Sequence, residues 1–374
     1  MKIGLISFHS FFSEGGVKRH ILNLKKEFQG KSIKCKIICP RRKLSEYYGS
    51  DVILLGTSFP VIFAGTQGDL CISFTPLSVE KTLAKEKFDV LHFHNFGFPL
   101  AGQILEESKA LNILTFHANL EASKFLRVFF ESFFSIIQEN IDGIIGVSPH
   151  VLKYFKNFKG PKVVIPNGID LKEFNPRGPK IEKFQDNKIN ILFLSRIEER
   201  KGLIYLLRAY KILEKKFSNL RLIIVGEGGL KKECEDWVKE NKLKEVYFEG
   251  GKEFQETPLY YRTADIFVGP SIYGESFGIV LLEAMASGKP VVAFANQGYK
   301  ELLTGKKGAF LVPSRDYRSL AQKIEILIKD ENLRKKMGYW GKKEAEKYSW
   351  DKIADKVLDF YQLCQKRKNL KFNV

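Results

Sequence analysis

The chain alternates short apolar runs with longer amphipathic segments, and it does so twice. The apolar runs are rich in Ile, Val, Leu and Phe and have the length of buried strands. In the first half they run from Ile3–Ser7 to Val163–Pro166, and in the second half from Ile189–Ser195 to Ala309–Val312. Strands that alternate with helices build parallel sheets flanked by helices. The sequence therefore predicts an α/β protein with two such sheets.

A polar stretch between the two halves marks a domain boundary. The chain has 374 residues, more than one hydrophobic core usually serves, and 44% of them are hydrophobic. Residues 174–188 carry two prolines and many charges, as linkers often do. We therefore predict one domain over residues 1–170 and a second over residues 171–350.

Several segments of the first half have simple local predictions. Val52–Leu55 is expected to be a short strand, residues 64–75 a loop, and Pro149–Phe155 a helix. Glu121–Asn140 predicts an amphipathic helix that packs its aromatic face on the core or dips it into a membrane interface. One side of it holds Lys124, Arg127, Glu131, Ser135 and Gln138, and the rest holds Phe125, Phe129, Phe130, Phe133, Phe134, Ile136 and Ile137.

The net charge of +18 has three readings: a nucleic-acid partner, an anionic membrane surface, or a lysine-rich composition with no partner behind it. No nucleic-acid recognition motif is found, so nucleic acid is not expected as a partner. Residues 41–43 and 366–368 are candidate contacts with anionic lipid. The sequence enters a strand directly at its start, which predicts a cytoplasmic protein, at most peripheral at the inner face of the cell membrane.

The five cysteines are scattered and odd in number, which argues against a disulfide framework. Cys35 and Cys39 could be half of a zinc site, but no second pair follows at the required spacing.

Ligands of open α/β sheets bind beyond the carboxyl ends of strands, so the loops there are informative. The first strand is followed by Gly15 and Gly16 at a helix start, where backbone N–H groups can approach a phosphate. This pair lacks the spacing of a nicotinamide-binding fingerprint. In the second half a strand is followed by Arg196 and Lys201, which could clamp a diphosphate or form a solvated charge cluster.

Residues 270–288 carry the strongest signal, a strand end followed by a glycine-bearing loop and a helix that starts near Gly278. The N–H groups of Phe277, Gly278 and Ile279 would point at an anion. Glu275 and Glu283 would lie roughly 12 Å apart if helical rise applied throughout. This exceeds the separation of about 5–9.5 Å in a glycosidase pair, so the carboxylates suit two binding points on an elongated ligand.

Taken in order, these motifs resemble those of retaining glycosyltransferase family 4. The resemblance rests on Gly15-Gly16, His117 after a strand, residues 164–170, Arg196 with Lys201-Gly202, and the span from Glu275 to Glu283. Within that family the chain looks most like the phosphatidylinositol mannosyltransferases, through residues 89–94, 115–117 and 348–350. The fold implied is GT-B, two Rossmann-like domains that face each other across a donor-binding cleft. A helix over residues 351–374 would cross back to the first domain.

The resemblance implies a reaction. A hexose, with mannose from GDP-mannose as the best guess, would move with retention from a nucleotide-diphosphate sugar to a lipid-linked or glycan acceptor. The alternatives are UDP-glucose or UDP-N-acetylglucosamine as donor, a nucleotide-sugar epimerase, and a non-catalytic sugar-nucleotide-binding protein. Residues 64–75 contain no Arg or Lys, which weakens the match to relatives that bind inositol phosphate.

The resemblance also implies roles for single residues, with neither a metal nor a cofactor. Arg196 and Lys201 would neutralise the leaving diphosphate, and His117 would lie at the sugar near the reaction centre. Glu275 would hold sugar hydroxyls, and Glu283 would accept hydrogen bonds from the ribose. The expected catalytic residues are His117, Glu275, Arg196 and Lys201. The expected donor-binding residues are Gly15, Gly16, Arg196, Lys201, Glu275, Ser276, Phe277, Gly278, Ile279 and Glu283.

Overall fold

Two separate sheets organise the chain in the computed structural model, which describes residues 1–12, 15–63, 66–121 and 124–372. Each sheet belongs to one of two compact units. The first unit contains Met1–Gly168 and the residues from Trp350 onward, and the second contains Ile169–Ser349. Each is therefore described by itself.

The first unit is built on an eight-stranded sheet with the order β4-β3-β2-β1-β5-β6-β7-β8. Its strands are β1 Lys2–Ser7, β2 Lys34–Arg41, β3 Val52–Phe63, β4 Thr66–Ile72, β5 Val90–His94, β6 Leu111–Phe116, β7 Gly143–Gly146 and β8 Lys162–Val164. All pairings except β3 with β4 are parallel. The helices that precede the second unit are α1 Gly16–Gly30, α2 Pro76–Glu86, α3 Leu100–Glu107 and α4 Lys124–Ile137.

The edge of this sheet differs from the sequence prediction. Strand β3 continues to Phe63 and pairs antiparallel with β4, so that Thr57 lies opposite Ile72 and Phe63 opposite Thr66. The prediction of a short strand and of a loop over residues 64–75 was wrong, apart from Ala64 and Gly65, which lie outside the described residues. An edge strand needs little apolar surface, so its polar composition looked like a loop. The helix predicted over residues 149–155 is a 3₁₀ turn over Val151–Phe155.

Helix α4 divides its apolar side chains between core and surface. Phe130, Phe134 and Ile137 are buried, whereas Val128, Phe129 and Ile136 are exposed. The aromatic face therefore both packs on the core and reaches solvent. Ala122, Ser123 and the side chains of Lys124 and Phe125, which belong to the predicted amphipathic helix, lie outside the described residues.

The second unit contains a parallel six-stranded sheet with the order β11-β10-β9-β12-β13-β14. Its strands are β9 Ile189–Leu194, β10 Leu220–Val225, β11 Val246–Gly250, β12 Ile266–Gly269, β13 Val291–Phe294 and β14 Ala309–Val312. Its helices are α5 Leu203–Glu214, α6 Lys231–Glu240, α7 Thr257–Thr263, α8 Ile279–Ala286, α9 Gln297–Leu303, α10 Tyr317–Lys329 and α11 Glu331–Ala345. Short 3₁₀ turns of this unit cover residues 182–184, 199–201, 254–256 and 346–348, and one of the first unit covers residues 138–140.

A final helix, α12 (Trp350–Phe372), belongs to the first unit although it follows the second in sequence. Its apolar residues recur with helical spacing and face one core. The buried ones are Ile353, Val357, Phe360, Tyr361 and Cys364, which share a cluster with residues of β1, α1 and β2 such as Leu5, Phe28 and Ile37. Helix α12 therefore completes the core of the first unit.

Candidate active site

In the second unit an ion pair is buried at the carboxyl edge of the sheet. Lys201 lies in the 3₁₀ turn after β9, and Glu275 lies in the loop between β12 and α8. The Lys201 Nζ atom is 2.5 Å from Glu275 Oε1, and each residue is only 9% exposed. The structure thus joins two predicted site residues that are 74 positions apart.

Arg200 joins this pair, although the sequence reasoning gave it no role. Its Nη1 atom is 3.7 Å from Glu275 Oε1 and 3.4 Å from the Gly274 carbonyl oxygen. Arg196 is half exposed, and its Nη1 atom lies 2.8 Å from Glu198 Oε1. Because Glu198 also accepts from Arg200, the side chains of Arg196 and Lys201 belong to one network of charged groups.

The network keeps the buried Glu275 side chain in its charged form. Burial alone would raise the pKa of Glu275, but the Lys201 ammonium and the Arg200 guanidinium outweigh it and hold that pKa below its usual value. Burial lowers the pKa of Lys201, Glu275 opposes this, and Arg200 reinforces it. The carboxylate is therefore ionised at neutral pH, beside two cationic side chains.

The loop after Glu275 ends in a helix terminus that only glycine fits. Gly278 adopts φ of 96° and directly precedes α8. A Cβ atom there would lie 2.7 Å from the ring of Tyr299, whose hydroxyl is 3.2 Å from Ser271 Oγ. A glycine at this position has no side chain to cap the first N–H groups of α8, so these groups have no side-chain acceptor from the N-cap.

Glu283 lies inside α8 and is 3% exposed. Its Oε2 atom accepts a hydrogen bond of 2.7 Å from the hydroxyl of Tyr261, a residue of α7 that the sequence reasoning did not single out. Tyr261 therefore fixes the orientation of one carboxylate oxygen. Its role depends on a contact between two helices and has no signal in the local sequence.

In the first unit the predicted glycine pair lies at the start of α1. Gly15 is extended, with φ of −175°, and Gly16 is the first helical residue. A Cβ atom added at either position would meet no atom of the described structure within 4 Å. Packing against the described residues therefore does not require glycine at either position. Ser13 and Glu14 of the same loop lie outside the described residues.

His117 lies directly after β6 and is one of three histidines whose rings meet. His94 is the last residue of β5, and His20 lies on α1. The ring centroid of His20 is 4.6 Å from that of His117 and 5.1 Å from that of His94. His94 Nδ1 is 3.2 Å from His117 Nε2, and His20 Nδ1 is 3.0 Å from Asn167 Oδ1.

A fourth histidine, His92, lies beside this cluster on the same strand as His94. His92 precedes His94 by two positions on β5, so both project to the same face of the sheet. Its Nε2 atom is 2.6 Å from Thr115 Oγ1, and its Nδ1 atom is 2.6 Å from the hydroxyl of Tyr361 on α12. Burial lowers the pKa of His20 to about 4 and keeps the pKa of His94 well below its usual value. These rings are therefore neutral at pH 7.

Comparison with known proteins identifies the family. Residues 14–173 match the family described as Glycosyltransferase Family 4, and residues 175–344 match Glycosyl transferases group 1. The phosphatidyl-myo-inositol mannosyltransferase of Mycobacterium leprae is 30% identical over 97% of this chain and 96% of its own length. The chain belongs to glycosyltransferase family 4. The same-named protein of Mycolicibacterium smegmatis is 29% identical over 97% of this chain and 94% of its own length.

Solved structures agree on the fold of this family 4 glycosyltransferase. Sucrose-phosphate synthase from Thermosynechococcus elongatus superposes with a TM-score of 0.79 at 22% identity, over 98% of this chain and 99% of the other. The Anabaena protein HepE, solved with UDP and glucose, superposes with a TM-score of 0.77 at 20% identity, over 97% of this chain and 99% of the other. The predictions of a GT-B fold and of this family are confirmed. Within the described residues, no helix has both the length and the apolar character needed to cross a membrane.

Proposed function

We propose that this glycosyltransferase moves mannose from GDP-mannose, with retention of anomeric configuration, to a lipid-linked or glycan acceptor. The donor sugar is inferred from the mannosyltransferases that are about 30% identical over nearly the full chain. Hexosyl transfer from UDP-glucose or UDP-N-acetylglucosamine is the second candidate. It is favoured by the structural neighbours solved with UDP and glucose or with UDP and GlcNAc.

The observation that carries the proposal is the buried group formed by Lys201, Arg200 and Glu275 beside the start of α8. Cleavage of a glycosyl–phosphate bond builds negative charge on the leaving diphosphate and positive charge on the anomeric carbon. Fixed cations and a helix N-terminus stabilise the first charge without a metal. In this proposal Arg196 and Lys201 face the diphosphate, and the ionised Glu275 binds hydroxyls of the sugar.

In the same proposal, the remaining predicted residues each have a role in donor binding. Glu283, with one oxygen held by Tyr261, would accept hydrogen bonds from the ribose. The N–H groups of residues 276–279 would face the donor, and Gly15 and Gly16 would give the phosphates access to the backbone. His117 would contact the sugar near the reaction centre. No metal or cofactor is part of this scheme.

We infer a front-face mechanism for retention. The leaving phosphate would take the proton of the acceptor hydroxyl as that hydroxyl attacks the anomeric carbon from the same side. Mass spectrometry of the protein after incubation with donor alone tests this. Unmodified mass is expected, and a covalent hexosyl adduct would overturn the mechanism.

We propose that the first unit contacts the cytoplasmic face of an anionic membrane. Val128 and Ile136 on α4 are 61% and 77% exposed, and the ring centroid of the exposed Phe98 lies 6.0 Å from that of Phe129. An aromatic surface of this kind suits a membrane interface. The basic runs add less than the sequence suggested, because Arg42 pairs with Asp69 and Lys368 with Asp142.

Transfer assays with radiolabelled donors test the function. Purified protein is incubated with GDP-mannose, UDP-glucose or UDP-N-acetylglucosamine, each with phosphatidylinositol vesicles, other lipid-linked acceptors or free glycans. Label is expected to move from GDP-mannose to a lipid-linked or glycan acceptor, and the Lys201→Met variant should lose it. Lys232→Met removes an exposed lysine of the same unit and is the matched control. Transfer from a UDP-sugar alone would replace the donor assignment, and no transfer from any donor would overturn the proposal.

Vesicle flotation at low salt tests the membrane contact. The protein should float with anionic vesicles and not with neutral ones. The double variant Phe129→Ser/Ile136→Ser should lose flotation. Tyr339→Ser, which removes an exposed aromatic residue of the second unit, should keep it. Equal flotation of both variants, or none with the unaltered protein, would exclude α4 as the contact.

A further inference from the structure

The strongest unassigned feature is the set of three histidines, His20, His94 and His117, at the carboxyl edge of the first sheet. One ring nitrogen from each lies within 4.8 Å of the others. His20 and His94 are buried, and His117 is partly exposed. We propose that these three histidines form a binding site for a zinc ion, and that zinc there inhibits glycosyl transfer.

The spacing of the nitrogens is close to what zinc requires. Tetrahedral zinc with Zn–N bonds of about 2.0–2.1 Å holds two nitrogen ligands about 3.3–3.4 Å apart. His94 Nδ1 and His117 Nε2 are already 3.2 Å apart. A nitrogen as far as 4.8 Å away would have to move about 1.5 Å to close the triad.

The tautomer of His20 is fixed in the form that a metal needs. The oxygen of an amide only accepts, so His20 Nδ1 donates its proton to Asn167 Oδ1 and Nε2 carries the lone pair. A ligating histidine commonly has such a partner on its other nitrogen, and the partner both orients the ring and raises its basicity. Asn167 therefore holds the position of an outer-sphere partner.

The histidines do not satisfy each other completely. The contact between His94 Nδ1 and His117 Nε2 holds one proton between two lone pairs. His94 Nε2 is buried and has no hydrogen-bond partner among the residues that the structure describes. When zinc takes both lone pairs, that proton leaves the contact, as metal binding to histidine generally requires. Zinc on these two nitrogens would replace the shared-proton contact, and the displaced proton would move to the outer nitrogen of its own ring.

Inhibition rests on the proposed function, whereas binding does not. His117 is the residue that the proposal places at the transferred sugar. Zinc that holds its Nε2 atom would remove this nitrogen from the sugar and place a divalent charge near a developing positive centre. Three protein ligands leave the fourth position to water.

Titration of the full chain with Co²⁺, a spectroscopic substitute for zinc, tests the site. The visible absorption of a four-coordinate Co²⁺ complex should saturate at one ion per chain and disappear when Zn²⁺ is added. His94→Gln should weaken binding by more than about 100-fold, and Asn167→Leu by roughly 10- to 100-fold, as loss of an outer-sphere partner does. His150→Gln, which removes a buried histidine of the same unit outside the cluster, should bind as the unaltered protein does.

Two readouts separate the site from the proposed function. X-ray absorption of the zinc-loaded unaltered protein should show imidazole ligands, which keeps the test independent of whether a variant folds. Absence of saturable Co²⁺ absorption, or equal binding by His94→Gln and His150→Gln, would overturn the site. Binding with no loss of transfer activity would overturn the inhibition alone, and binding by a protein with no transfer activity would instead count against the proposed function.

Discussion

Substitution of the buried Lys201–Glu275 pair separates its structural role from its chemical one. Removing one partner of a buried ion pair leaves an uncompensated charge and costs about 3–5 kcal/mol of unfolding free energy. The loss for Lys201→Met should fall at the lower end of this range, because Glu275 Oε1 still has the Arg200 Nη1 atom 3.7 Å away. Glu275→Gln should fall at the upper end, because it leaves Lys201 and Arg200 near each other without their anion.

The double variant Lys201→Met/Glu275→Gln should lose less unfolding free energy than the two single variants lose together. It contains neither buried charge, and replacing a buried pair with neutral side chains is often nearly neutral in free energy. We expect its stability within about 2 kcal/mol of the unaltered protein, which gives a coupling energy of several kcal/mol between the two positions. Turnover should nevertheless remain at least about 100-fold below that of the unaltered protein, because a cation near the diphosphate stabilises the transition state by roughly 3 kcal/mol.

Hydrogen exchange of peptides from the second unit measures this stability, because a two-unit chain does not unfold in a single step. Transfer activity is measured on the same preparations. A double variant as unstable as the two single losses added together would refute the assignment of a coupled buried pair. Recovery of turnover in the stable double variant would refute the catalytic role and leave the pair a structural feature.

Three further predictions concern the described contacts. Because folding lowers the pKa of His20 from 6.5 to about 4, its share of stability is present above pH 6.5 and is lost as the pH falls toward 4. His20→Gln should remove about 3 kcal/mol of this acid dependence, measured by hydrogen exchange of first-unit peptides at each pH, and an unchanged dependence on pH would contradict it. Gly278→Ala should cost about 1–3 kcal/mol and weaken donor binding in calorimetry, owing to the positive φ and the nearby Tyr299 ring; an unaltered melting temperature would count against this. Tyr361→Phe should cost about 1–3 kcal/mol in the first unit by leaving His92 Nδ1 without its hydrogen-bond partner, and equal hydrogen exchange of β5 would refute that.

The general plan of the fold follows from local patterns. Buried parallel strands are continuous apolar runs, so β1, β5, β9 and β12 are visible in the sequence without knowledge of their neighbours. The full length of β3 and the whole of β4 were missed because the two strands are stabilised by pairing with each other. Phe59 and Leu70 are paired across the two strands, yet both are exposed, and β4 begins with four polar or small residues.

The site was predictable where its residues lie close in sequence. The loop from Glu275 to the start of α8 has a local signature, and Gly278 has the positive φ that such a turn requires. Arg200 and Tyr261 were missed because each acts on a carboxylate from another loop or helix.

The histidine cluster was not anticipated as a group. His94 and His117 are brought together by parallel pairing of β5 with β6, in which His94 lies beside Thr115. His20 arrives on a helix from the start of the chain. The alternation of His92 and His94 on one strand was the available signal, since it places two imidazoles on the same face.

The return of α12 to the first unit has a consequence for biosynthesis. On the ribosome, the strands β1 to β8 are made first, but the core that contains Leu5 and Phe28 is closed by Ile353 and Val357, which are translated after the whole second unit. Domains made earlier usually fold earlier. Here the order is reversed: the second unit is a continuous segment that can fold while the first still exposes an apolar surface. A chain truncated after Ser349 should therefore carry a folded second unit and a first unit that is a substrate for chaperones.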